Sequence, residues 1–378
     1  MIYLDHNATT PPDEEVISAM MPYFREFYGN ASSRTHLFGW DAREAIDLAR
    51  QQLASLLRVK PRELVFTSGA TEAVNLALRG LFPPDDSKGA RLLTLKTEHK
   101  AVLDTCLWLE KHQGVHIDYL ETDAQGHIAL QHLAKAIKPQ TRLVAIMFAN
   151  NETGLIHPVR EIAEICRQAE TTFFCDATQA VGKIEVHPET LRIDMLACSA
   201  HKMYGPKGAG ALYLRKDLML TPQITGGGQE RKRRAGTLNV PAIVGFGKAA
   251  ELAAKRHAKD RIKMEKLRDL LEKILFDALP GISVNGCTKH RLPHVSNLRF
   301  EGIESEDLML ALSTKVAVSS GSACNSAEVL PSHVLLAMGL SEEEALSSIR
   351  FSLGRHTREE DIRRACELLI QTVKRLRS

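Results

Sequence analysis

The sequence predicts an α/β chain in two parts, a large doubly wound, mostly parallel sheet and a smaller α+β domain. Two observations carry this. From Glu63 to Ser199, short apolar runs alternate with stretches of helical spacing, the pattern of repeated βαβ units. Beyond Pro280, after a long charged helical stretch from Val240 to Ala278, the strands shorten and the alternation stops. The expected division is 13–257 for the large domain, with 1–12 and 258–378 forming the small one. A chain of 378 residues is long enough for both.

Taken in order, a short strand ends in the turn-rich Asn7-Ala8-Thr9-Thr10-Pro11-Pro12, and helices follow over Asp13–Met21 and Asp41–Leu57. Ala42, Ala45, Ile46, Ala49, Leu53, Leu56 and Leu57 share the buried face of the second. Glu63–Thr67 is a strand running through Ser68-Gly69-Ala70-Thr71 into a helix that reaches Leu81. Strands are expected at Arg91–Leu95, Val115–Leu120, Leu143–Ala149, Phe173–Asp176 and Leu191–Ser199, with a helix over Val159–Ala169. In the small domain, strands are expected at Ile282–Val284 and Val295–Phe300, and a strand-like run carries Arg350 and Arg355. The last helix is expected to start with a capping box at Thr357 and Glu360.

Composition excludes several classes of function. A formal charge of +3, spread over both halves, gives no dense basic stripe for nucleic acid. No apolar run approaches the roughly 18 residues of a membrane span, and the first residues lack the pattern of a signal peptide, so a cytoplasmic protein is expected. Seven cysteines without a CxxC pair argue against a disulfide framework or a four-sulfur metal site. Most read as buried thiols. Cys324 differs, because Ser319-Ser320-Gly321-Ser322-Ala323-Cys324-Asn325-Ser326 has the composition of an exposed loop.

Two strand ends carry chemistry. Lys202 follows the Leu191–Ser199 run and precedes a glycine-rich turn, a place where a lysine can be desolvated into a nucleophile that traps an aldehyde cofactor. Asp176 closes the neighbouring run, where a carboxylate can hold a pyridinium nitrogen in its charged form. Pyridoxal phosphate needs both groups. Gly69-Ala70-Thr71, between a strand and a helix, offers an anion site, although Ser68 or Thr71 acting as an ordinary helix cap would explain the same residues. The hydroxyl and cations from Gly226 to Thr237 could close a phosphate site or form a solvated loop. An arginine at position 350 or 355 could fork onto a carboxylate, as it could join a surface ion pair.

Together these motifs resemble the cysteine desulfurases, fold type I pyridoxal phosphate enzymes of the class V aminotransferase kind. The resemblance rests on Tyr3 to Thr10, Thr67 to Glu72, Glu98-His99, Asn150 to Gly154, Asp176 to Gln179, Ser199 to Lys202, Gly226 to Glu230, Ala235 to Thr237, Ser319 to Cys324 and Arg350 to Arg355, in family order along nearly the whole chain. It implies that Lys202 carries the cofactor and that His99 stacks on its ring as an acid/base. It also implies that Asp176 pairs with the ring nitrogen and Gln179 with the phenolate oxygen. Ala70, Thr71, Ser199 and His201 would bind the phosphate, with Thr237 supplied by the other subunit of a homodimer. Asn151 and Arg350, with Arg355 a further candidate, would take the carboxylate of L-cysteine. Cys324 would accept its sulfur as a persulfide, leaving alanine. The residues after Cys324 resemble the long-loop subtype, which implies delivery to a sulfur acceptor such as an iron–sulfur scaffold or a tRNA-thiolation relay. A selenocysteine lyase, or another pyridoxal phosphate enzyme such as a small amino-acid transaminase, is the nearest alternative, and Cys324 speaks against the transaminase. A catalytically dead sulfur-trafficking protein is opposed by intact Lys202, Asp176 and His99.

Overall fold

The computed structural model of the protein describes residues 1–320 and 330–378. The chain opens with a two-residue strand, β1 (Ile2–Tyr3). Among the described residues a seven-stranded sheet follows, made of β2 (Leu64–Thr67), β3 (Arg91–Leu95), β4 (His116–Leu120), β5 (Thr141–Ala145), β6 (Thr172–Asp176), β7 (Met195–Ser199) and β8 (Gly210–Leu214). Its spatial order is β2-β8-β7-β6-β5-β3-β4, and only β8 runs against its neighbours. Side chains alternate along these strands, so each strand feeds two cores. Val65, Met195 and Ala197 pack under α2 (Ala70–Leu81) and α3 (Lys100–Gln113), reached after α1 (Leu37–Leu57). Leu64, Phe66, Leu196 and Cys198 pack on the opposite face against α1, α4 (Val159–Gln168) and the first half of α5 (Val240–Ala278). Covering both faces is what allows the strands to be apolar throughout.

α5 is 39 residues long, about 58 Å at 1.5 Å per residue, and serves two cores. Its first half lies on the large sheet. Its second half buries Leu267, Leu271 and Leu275 with Leu4, Phe300, Phe351, Ile362 and Leu369 in a third core. There β9 (Ile282–Val284), β10 (Val295–Phe300) and β12 (Ser348–Ser352) form an antiparallel sheet, covered by α6 (Glu359–Leu376), while β1 pairs in parallel with β11 (Val316–Ala317). None of the helices among the described residues is long and apolar enough to cross a membrane.

Four local expectations change. The strand expected from Leu191 starts only at Met195, because Arg192 caps a short helix (Pro188–Leu191) in the left-handed region at φ 60°. α1 begins at Leu37, four residues before Asp41, with the His36 imidazole accepting from the Gly39 N–H. β5 ends at Ala145, four residues early, although Ile146 and Phe148 still donate to Phe174 and Asp176 carbonyls. At α6 the cap lies one residue on. The Asp361 carboxylate accepts from the Arg358 N–H at 2.8 Å, while Thr357 Oγ1 accepts from Gly354 N–H instead.

Candidate active site

The C-terminal ends of β6 and β7 lie side by side, the edge of a parallel sheet where ligands collect. β6 delivers Asp176. β7 runs into a 3₁₀ turn (Ala200–Lys202) that delivers Lys202. β2 brings Gly69 and the start of α2 to the same edge, and this close seating requires a glycine on β8. A Cβ at Gly210 would lie 2.5 Å from the Gly69 carbonyl carbon. The result is a cleft of about 380 Å³ lined by Ala70, Thr71, His99, Asn151, Asp176, Gln179, Ser199, His201 and Lys202. A wider opening of about 520 Å³, around Tyr3, His6 and His356, contains neither Lys202 nor Asp176.

The Lys202 ammonium donates to the carbonyls of Asn7 and Ala8 at 2.5 and 2.7 Å. Asp176 is 7% exposed and accepts from the Thr178 N–H through Oδ1 at 2.9 Å. His99 caps α3, its Nδ1 accepting from the Ala101 N–H at 3.1 Å, so Nε2 bears the proton of the neutral ring. The ring reaches solvent through the mouth of the cleft yet is crowded by protein. That desolvation lowers its pKa, Asp176 opposes the shift, and Lys202 and His333 reinforce it. His201 is pushed down to about 4 by desolvation, then by Lys202, Lys207 and Lys183, while its Nδ1 lies 3.1 Å from Thr9 Oγ1.

α2 has no side-chain cap. Neither Ser68 nor Thr71 fills the role an ordinary cap would give it, so the first N–H groups remain available to an anion, with the positive end of the helix behind them. Two polar atoms of cleft residues, Thr178 Oγ1 and Asn151 Oδ1, are buried without a hydrogen-bond partner among the described residues. Such groups are costly unless a ligand completes them. An uncapped helix start, a carboxylate, an amine and unpartnered donors and acceptors around one cleft fit a phosphorylated, aldehyde-bearing pyridine.

Three expected residues lie off the cleft lining. Arg350 is buried behind it, donating to the Asn151 carbonyl at 3.2 Å and to Asp5 Oδ1 at 2.7 Å, with Nε unpartnered among the described residues. Arg355 lies beyond the end of β12, where its guanidinium joins Asp13 and Asp260 at 3.0 and 2.6 Å and covers the Tyr204 ring at 4.3 Å. Thr237 is exposed on the loop before α5 and is not among the residues lining this chain's own cleft. Cys324 lies outside the described residues. The six cysteines within them are buried, and burial raises Cys166, Cys198 and Cys366 to about 12, which leaves no thiolate at neutral pH.

Sequence reasoning gave no role to Asn7, Thr178 or Lys183. Asn7 joins three segments of the site, taking Lys202 and Gln179 on its carbonyl and giving its Nδ2 to the Asn151 carbonyl. No local signal marks it, because these three partners are 144 to 195 residues away.

The Aminotransferase class-V family pattern matches residues 2–365. The chain is 49% identical over 378 residues to a cysteine desulfurase IscS of Anaeromyxobacter dehalogenans, covering all of this chain and 93% of that protein. It is 46% identical over 378 residues to a human cysteine desulfurase, covering all of this chain and 82% of the human one. Among solved structures, a NifS-like protein superposes with a TM-score of 0.92 at 36% identity, covering 99% of each chain. A second, SspA in complex with cysteine, gives 0.84 at 36% identity over 95% of this chain and all of that one. With the family pattern, the sequence identity and the fold in agreement, this chain belongs to the class-V aminotransferase family, in the cysteine desulfurase branch.

Proposed function

We infer that the protein is a pyridoxal phosphate-dependent cysteine desulfurase, converting L-cysteine to L-alanine and storing the sulfur as a persulfide on Cys324. The observation that carries this is the meeting of Lys202, Asp176, His99 and the uncapped start of α2 in one cleft. Bound there, pyridoxal phosphate supplies the electron sink that makes the α-proton of cysteine removable. Lys202, the amine lining the cleft, would hold the cofactor and would move that proton. His99, kept neutral by its lowered pKa, shares the acid/base work. Asp176 would pair with the ring nitrogen and Gln179 with the phenolate oxygen. The N–H groups of Ala70 and Thr71, with Ser199 and His201, would hold the phosphate.

Asn151 and Arg350 orient the substrate carboxylate; Arg355, already joined to two carboxylates, is assigned no substrate contact. Cys324 Sγ, as thiolate, forms an S–S bond to the substrate sulfur as the bond from that sulfur to Cβ breaks. The electron pair left on the Cβ side takes a proton and alanine leaves, so the reaction needs no outside oxidant or reductant.

We propose a homodimer in which Thr237 completes the partner's phosphate site. An apolar surface supports this, because Phe24, Tyr28, Leu37, Phe38 and Trp40 are each 45 to 69% exposed around the start of α1. The sulfur acceptor is proposed to be an iron–sulfur scaffold or a tRNA-thiolation relay in the cytoplasm. Selenocysteine remains a candidate substrate. Incubating purified protein with cysteine or selenocysteine and measuring alanine separates the two, and borohydride reduction followed by peptide mapping locates the cofactor. Label on Lys202 and faster turnover of cysteine are expected; label on another lysine would overturn the assignment.

A further inference from the structure

Lys183 is 5% exposed and lies in the turn after β6, four residues beyond Gln179. Its hydrogen-bond partners among the described residues are two amide oxygens and no carboxylate, Gln179 Oε1 at 2.9 Å and Asn7 Oδ1 at 3.4 Å. A buried lysine without a counter-ion is costly, which points to a use for it.

Side-chain amides can point either way, and their neighbours decide which end faces a ligand. An amine always has N–H groups to give, so Lys183 draws both amide oxygens toward itself. Gln179 Nε2 is thereby turned to the other side, where it donates to the Asn7 carbonyl at 3.0 Å. That carbonyl also receives Lys202. Asn7 Oδ1 is held a second time by His294 Nε2 at 2.8 Å, and Asn7 Nδ2 then donates to the Asn151 carbonyl at 2.9 Å. Gln179 and Asn151 line the cleft; Lys183 does not.

We propose that Lys183 is a positioning residue that fixes the amide of Gln179, and through Asn7 the floor under Lys202, so that an N–H donor and not a carbonyl oxygen meets the cofactor's phenolate oxygen. This rests on the reading that the cleft holds pyridoxal phosphate. The charged and titratable groups facing Lys183 are Lys202, Arg350, His6, His201 and His294. Burial lowers its own pKa well below the usual value, with Lys202 and Arg350 acting in the same direction.

The experiment is a pH titration of the yellow absorption band of resting, cofactor-loaded enzyme without substrate, in a cycle of Lys183→Met with Gln179→Ala. Losing the phenolate's donor makes that oxygen more basic, so Lys183→Met is expected to raise the midpoint by roughly half a pH unit. It should also weaken binding of added pyridoxal phosphate to the apoprotein severalfold. In the Gln179→Ala background the same change should add nothing. An equal shift in both backgrounds would mean that Lys183 acts by charge alone, and an unshifted midpoint in Lys183→Met would mean that it only fills space; either overturns the proposal. Should the methionine variant not fold, Lys183→Gln keeps a donor without the charge. A wild-type midpoint is expected there, and a raised one counts against positioning. Wild-type protein that forms no yellow band would overturn the cofactor reading itself and this proposal with it.

Discussion

Arg350 and Arg355 stand five residues apart on one stretch of chain, both buried, and the structure uses them differently. Around Arg355 the guanidinium faces Asp13 and Asp260, its backbone N–H donates to Tyr204 Oη at 2.5 Å, and Arg256 adds a second ion pair to Asp13. Around Arg350, Nε and the neighbouring Asn151 Oδ1 have no partner among the described residues, and the lining of the cleft is close by. The first region is satisfied by the fold. The second is left incomplete beside the cleft, where a bound ligand would complete it. Arg355 ties Asp13 to Asp260 of α5 and to Tyr204, whose left-handed φ of 65° lies two residues after Lys202. Support of the fold is therefore the role we propose for it.

The contrast is broken most severely at the cleft itself. Lys202→Ala should lose the borohydride-sensitive colour and all measurable turnover, as read by absorbance and alanine release. A coloured, active variant would remove the cleft from the account. A smaller effect sharpens the comparison of the two arginines. Arg350→Lys keeps charge opposite Asp5 but loses the planar fork, and should raise KM for cysteine about tenfold, equivalent to about 1.4 kcal/mol, with stability close to wild type. Arg355→Lys should do the reverse, lowering stability to denaturant by about 1 to 3 kcal/mol with KM unchanged, because a point charge cannot serve both Asp13 and Asp260. Equal kinetic defects in the two variants would erase the distinction.

Smaller still is a pH effect on stability. His6 and His157 are held neutral, with pKa values lowered from 6.5 to about 4, first by burial and then by Lys183 and His127 respectively. The unfolded chain binds their protons at higher pH than the native one. Stability contributed by neutral burial is therefore fully present above 6.5 and lost as pH falls toward 4, at up to about 1.4 kcal/mol per pH unit for each histidine. Denaturation across that window should show the slope, and His157→Leu should reduce it by about one proton.

Much of this was legible in the sequence, for identifiable reasons. The alternation of apolar runs and helices located six of the seven strands of the large sheet and the long α5, though not β8, which returns antiparallel without an α-helix before it. Strand ends bearing Asp176 and Lys202 marked the cleft edge before any geometry. What stayed hidden depends on partners distant in sequence. The saturation of Arg355 needs Asp13 and Asp260, 342 and 95 residues away, and Asn7 is an ordinary turn residue until Lys202, Gln179 and Asn151 converge on it. The seat of Lys183 likewise depends on Asn7 Oδ1, 176 residues distant. Two element ends shifted by four residues where a cap or a left-handed residue overrode apolar periodicity, at His36 and at Arg192.

The central claim, that this cleft passes sulfur to Cys324, is tested most directly by counting products on one preparation. With cysteine added to enzyme lacking any acceptor, the account predicts one persulfide on Cys324 for each alanine in the first turnover. Cys324→Ser should remain yellow and respond spectrally to cysteine, yet form neither product above background, since a hydroxyl supplies almost no anion at neutral pH. Wild-type rates of alanine release from the serine variant would contradict it, because the sulfur would then leave by a route that does not involve this thiol.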